Sequence, residues 1–68
     1  MNKFPERLKK LREEKGFSKT QLSKEVGFPE PSISRWERGL QIPNIETLIV
    51  FVKYFKVSAD YLLGLEDY

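Results

Sequence analysis

The side chains best suited to chemistry in this sequence gather in one short stretch, residues 28–39. Glu30, Ser32, Ser34, Arg35 and Arg38 place acceptors and donors close together there. Pro29 and Pro31 stand at the entrance of the stretch, where a missing N–H costs a helix least. Gly39 stands at the exit, where a left-handed cap is wanted. Between them only Ile33 and Trp36, spaced i, i+3, offer a buried stripe. A helix this short is marginal alone. The remaining chain therefore reads as a scaffold that holds this helix out toward something polar and anionic.

Other chemistries lack their reagents. The 68 residues include no histidine and no cysteine. The commonest general base, the commonest metal ligand and all thiol chemistry are missing. The sequence also has no Gly-rich phosphate loop. An enzyme, a metal site and a cofactor are not expected. Net charge is only +2, but residues 1–39 carry +4 and residues 40–68 carry −2. The basic excess lies on the side of the polar helix, which suits a polyanion. No apolar signal region opens the chain and no apolar run approaches the ~20 residues of a membrane span. The expectation is a soluble, cytoplasmic protein with no membrane association.

The elements that must position the polar helix follow from caps and periodicity. The first is expected over residues 4–15, with Pro5 in its first turn and Phe4, Leu8 and Leu11 at i, i+4, i+7 as its buried stripe. Arg7, Lys9 and Lys10 cover its outside, and Arg12 lies at the margin of the buried face. The second begins after Ser18, which with Gln21 forms an S-x-x-Q capping box. Leu22 and Val26 face the core, Ser23 is small enough for close helix approach, and Gly27 ends the helix. The polar helix follows at once, and two short helices joined by a glycine-containing turn make a helix-turn-helix. After a loop at residues 40–43, Asn44 caps a fourth helix over residues 45–55. Its stripe is Ile45, Leu48, Val52 and Phe55, but it is apolar almost all round. Ser58 caps a fifth helix over residues 59–63, and Gly64 ends it. No period-two strand pattern occurs. The expected architecture is one all-α domain over residues 1–68, with a short tail at 65–68.

From Leu8 to Leu63 the sequence resembles the phage repressor and Cro type of helix-turn-helix domain, the XRE family. The resemblance rests on residues 8–18, Gln21-Leu22-Ser23, residues 33–39, residues 43–48 and residues 57–64, in order and at family spacing. It implies a five-helix lambda-repressor-like fold, sequence-specific binding of double-stranded DNA, and transcriptional regulation, commonly as a homodimer. It implies that Glu30, Pro31, Ser32, Ser34 and Arg35 face the bases. A helix fits the major groove, where each base pair shows a distinct donor and acceptor pattern. Arg35 can fork onto guanine O6 and N7, Glu30 can accept from cytosine N4, Ser32 can serve either way, and Pro31 can touch a thymine methyl. Phosphate contacts are expected from Ser18, Lys19, Thr20 and Gln21 at the second helix's N-terminus, and from Arg38, Gln41 and Lys24. Trp36 belongs to the core, and Glu37 pairs with Arg12 in a partly buried salt bridge.

Three departures from the family pattern stand out. Lys19 replaces the usual glutamine, and Pro29 replaces the usual Ser or Thr cap. Leu40, Gln41 and Ile42 follow Gly39 where basic or polar residues are common. Leu40, Val50, Phe51, Leu65 and Tyr68 exceed what one small core needs. Ile42 and Phe51 either complete that core, or the C-terminal half forms a two-fold interface. That interface would set two reading helices one DNA turn apart, about 34–36 Å. The expected function is a repressor acting on a palindromic operator as a homodimer, of prokaryotic or phage type, sensing no small-molecule ligand. The competing reading is a protein-interaction module of the same fold, antitoxin-like or a co-regulator, working through its apolar C-terminal surface.

Overall fold

In the computed structural model, which describes residues 2–67, five helices follow one another through short connections. They are α1 (Phe4–Glu14), α2 (Lys19–Val26), α3 (Glu30–Glu37), α4 (Ile45–Phe55) and α5 (Ala59–Leu63). No strand occurs among the described residues. Side-chain caps set most of the helix starts. Asn2 Oδ1 accepts from the Phe4 N–H at 2.9 Å, Asn44 Oδ1 from Thr47 at 2.8 Å, and Ser58 Oγ from Tyr61 at 3.0 Å. Ser18 and Gln21 satisfy each other's backbone N–H at α2. The N-cap residues of α1 and α3, Lys3 and Pro29, make no side-chain cap bond; at α1 the preceding Asn2 serves instead, and α3 has no such substitute. Pro31 removes one of the donors that would need one.

Phe4, Leu8, Leu11, Leu22, Ile33, Trp36, Phe51 and Leu62 form the core. Its centre is aromatic. The Phe51 ring lies 6.0 Å from Phe4, 5.6 Å from Phe28 and 5.7 Å from Trp36, and Trp36 meets Phe28 edge-on at 5.3 Å. One side chain of α4 therefore touches α1, the α2–α3 turn and α3 together. Truncating such a residue costs about 3–5 kcal/mol.

This cluster corrects the orientation expected for α4. Phe51 is fully buried, so it forms no part of an exposed dimer surface. Ile45, expected on the buried stripe, is 75% exposed, and Ile42 is 81% exposed. Thr47 and Phe51, at i, i+4, mark the inward face instead, with Leu48, Val52 and Phe55 packed half-buried beside them. Periodicity could not choose, because α4 carries apolar residues on every side. The ring cluster chose for it. Val50 is half-buried, Leu40 and Leu65 are exposed, and Tyr68 lies outside the described residues.

Arg7 is also not the solvated charge expected on the outside of α1. Its Nη1 donates to the Tyr61 and Glu66 carbonyls at 2.7 Å each, and its guanidinium lies 4.3 Å from the Tyr61 ring centroid. It thereby ties α1 to the last turns of α5, where the Tyr61 carbonyl also accepts from the Gly64 N–H at 3.1 Å, and to the Glu66 carbonyl just beyond that helix. The backbone reinforces this contact: the Lys3 N–H donates to the Leu63 carbonyl at 3.3 Å.

Candidate nucleic-acid interface

The turn that sets α3 against α2 is made by two residues. Gly27 takes a left-handed conformation, φ 80°, and its N–H returns to the Ser23 carbonyl at 2.9 Å. The Ser23 hydroxyl then donates across the turn to the Phe28 carbonyl. Phe28 is thus held where its ring can meet Trp36.

α3 has two unlike sides. Ile33 and Trp36 are buried, and Glu37 faces inward beside them. Glu37 takes Arg12 Nε on Oε2 at 2.7 Å and Arg12 Nη2 on Oε1 at 2.9 Å, a side-on fork. Arg12 Nη1 also donates to the Phe17 carbonyl at 2.8 Å. The Glu37 hydrogen bond raises the Arg12 pKa despite the opposing effect of burial. One guanidinium therefore joins α1, the residue before the α2 cap, and the last turn of α3.

The other side of α3 carries no core contact. Pro31 and Arg35 are exposed, and Glu30, Ser32 and Ser34 are half-exposed. Pro31, Arg35 and Arg38 recur at i, i+4, i+7 along the outer face. Arg35 is not loose: its Nε donates to Gln41 Oε1 at 3.0 Å and its Nη2 to Ser32 Oγ at 3.3 Å. Those bonds occupy one edge of the guanidinium. Three of its five N–H donors remain, including the pair on Nη1. The Leu40 N–H, bonded to the Arg35 carbonyl at 2.9 Å, folds the loop back so that Gln41 can reach. Gln41, the residue expected at a phosphate, holds the Arg35 side chain through this bond.

At the N-terminus of α2 the capping box consumes the N–H groups of Ser18 and Gln21. The backbone N–H groups of Lys19 and Thr20 stay outside the helix ladder, as the first donors of any helix must. Free N–H groups, the positive end of the helix dipole and the Lys19 side chain at one helix start are the features that favour an anion. The N-terminus of α3 differs. Ser32 and Ile33 both donate to the Pro29 carbonyl, and Pro31 has no N–H, so only Glu30 keeps a spare backbone donor in that turn. The first turn of α3 therefore offers mainly side chains to a ligand, whereas that of α2 offers two backbone donors. Lys24 stands six residues beyond Ser18, about 9 Å further along the axis, and Arg38 caps the far end of α3.

The sequence pattern singled out neither Ile45 nor Ile49 as surface. With Leu40 and Ile42 they make an exposed apolar run through the loop and along one face of α4. Their i, i+4 spacing was the available signal, hidden by the apolar residues around it.

Comparison with known proteins gives the same picture. A helix-turn-helix family model matches residues 8–62. The chain is 38% identical over 64 residues to the HTH-type transcriptional activator BcrR of Enterococcus faecalis, covering 94% of this chain and 31% of that protein. It is 38% identical over 58 residues to repressor protein C2 of Salmonella phage P22, covering 85% of this chain and 27% of that one. It thus spans under a third of the length of each. Among solved structures, the P22 c2 repressor in complex with a synthetic operator is similar at a TM-score of 0.85 and 33% identity, over 97% of this chain and all of that one. The biofilm regulator SinR in complex with DNA is similar at a TM-score of 0.80 and 34% identity, over 88% and 97% of the two chains.

Proposed function

The chain belongs to the helix-turn-helix family of the phage-repressor type, and from that premise we propose that it binds double-stranded DNA sequence-specifically to regulate transcription. It acts as a homodimer on a palindromic operator in the cytoplasm of a bacterial or phage-infected cell, and represses where that site overlaps a promoter. The observation that carries this reading is the two-sidedness of α3. Every fastening group lies on one side. Glu30, Pro31, Ser32, Ser34 and Arg35 are left uncommitted to the core on the other.

In this reading α3 lies in the major groove, and Arg35 presents its free guanidinium fork to guanine O6 and N7. Lys19, Thr20 and Arg38 meet phosphates and set register. Exposed Leu40, Ile42, Ile45 and Ile49 support self-association, because four large apolar side chains within ten residues are costly to leave in water. A second copy covering them would place a second α3 nearby, and two half-sites would supply the specificity that one short helix lacks.

Selection of bound sequences from random duplex DNA, read beside sedimentation of the free protein and of Ile45→Asp, tests the reading. The expected result is an enriched palindrome, a dimer for the wild type and a monomer for the variant. Binding equally tight to every duplex, or a monomer that binds no duplex at low salt, refutes it.

A further inference from the structure

Lys3 and Lys9 have no role in the interface described above, yet both are exposed and lie beside it. A groove of about 620 Å³ runs between the first turns of α1 and the end of α3, lined by Lys3, Lys9 and Arg38 together with Glu6 and Glu37. The charge in this groove is lopsided. Glu37 does not count against the cations, because both of its oxygens are taken by Arg12 and its side chain is only 2% exposed. Glu6 is then the one uncompensated acid against three cations. The groove also adjoins the reading helix directly: Pro5 of α1 packs 3.7 Å from where a Cβ on Gly39 would stand.

We propose that Lys3, Lys9 and Arg38 form a second clamp for the DNA backbone, holding the phosphodiester chain of one strand against α1. The proposal rests on the DNA-binding reading and adds α1 to the contact surface. The spacing suits the ligand. Lys3 and Lys9 are six residues apart, about 9 Å along the helix axis. Two cations so separated can engage different phosphates of one strand, with Arg38 as the third on the α3 side. The clamp is indifferent to base sequence, since it touches only the backbone.

Binding of the full chain to its selected operator and to a scrambled duplex is followed by fluorescence anisotropy across salt. The variants are Lys9→Gln, Lys3→Gln/Lys9→Gln, Glu6→Gln and, as a remote control, Lys53→Gln. Each lost phosphate contact lowers the slope of log affinity against log salt by about 0.9. The affinity lost between about 50 and 200 mM salt should therefore shrink roughly threefold for Lys9→Gln, and again for the double variant. Both duplexes should weaken alike, base preference should not change, and Lys53→Gln should match the wild type. Glu6→Gln, which removes the opposing acid, should bind both duplexes more tightly. Because that variant gains affinity, its effect cannot come from misfolding. Unchanged slopes for both lysine variants in a protein that still binds its operator overturn the clamp alone. Failure of the wild type to bind any duplex overturns the DNA-binding reading and the clamp with it.

Discussion

Replacing Glu37 by alanine should come close to unfolding the protein. The Arg12 side chain is 10% exposed and the Glu37 side chain 2% exposed. Without the carboxylate, Arg12 keeps one acceptor, the Phe17 carbonyl, for a charge it cannot shed, since arginine stays protonated at any working pH. Breaking a buried pair from one side costs about 3–5 kcal/mol. A chain of this length has about 3–10 kcal/mol of stability in all. The melting temperature should fall by about 12–40 °C, at 4–8 °C per kcal/mol. Arg12→Leu/Glu37→Leu should recover most of that loss. It removes both charges together and leaves only the Phe17 carbonyl unpaired, a cost of about 1–3 kcal/mol. Urea melts followed by far-UV circular dichroism give the three values. A Glu37→Ala midpoint within about 0.5 kcal/mol of wild type would show an exposed, screened pair. A double variant as unstable as the single one would show that the charge is not what matters.

Arg35→Ala should erase preference at one base pair, about 1–3 kcal/mol of discrimination. Gln41→Ala should weaken preference at that same position by less, because the guanidinium remains but loses a lateral bond. Competition with operators substituted base by base reads both. Tyr54 donates to Glu25 at 3.0 Å, and partial burial first, then that bond, raise its pKa above the ordinary value near 10. The folded state holds this proton more tightly than the unfolded chain does. Stability from the contact is therefore complete below about pH 10 and falls as pH rises through the folded value; melting across that range should flatten in Tyr54→Phe. Gly64→Ala should destabilise more than Gly16→Ala. Both positions have positive φ, but only at Gly64 would the new Cβ stand 2.8 Å and 2.9 Å from the Lys3 side chain. About 1–2 kcal/mol of backbone strain is common to both. Equal melting temperatures would show that Lys3 moves freely aside.

Helix ends could be read from the sequence because their causes are local. Asn44 with α4 and Ser58 with α5 gave starts that the structure reproduces, and the Ser18–Gln21 box is formed as a four-residue pattern requires. The helix-turn-helix followed from Gly27 and the short connection. The Arg12–Glu37 pair came from the family resemblance and is present. What stayed hidden depends on contacts between distant residues. The inward face of α4 was settled by rings at Phe4, Phe28 and Trp36, none of them near Phe51 in sequence. The Arg7 contact with Tyr61 and Glu66 spans more than fifty residues, so no local pattern could announce it. The Gln41–Arg35 bond depends on how one loop folds back, which hydrophobic period does not encode.

The split between the two sides of α3 bears on how such a protein changes over generations. Ile33, Trp36 and Glu37 are locked to the scaffold, and a change in any of them is paid for in folding. Glu30, Pro31, Ser32, Ser34 and Arg35 carry almost none of that burden. Under the proposed function, mutations there can accumulate without a fall in abundance and still alter which DNA is bound. A duplicated copy can therefore acquire a new operator in a few substitutions while its core stays constant. The same freedom makes this face a place to graft a different reading surface, with melting temperature as the check that the scaffold has not noticed.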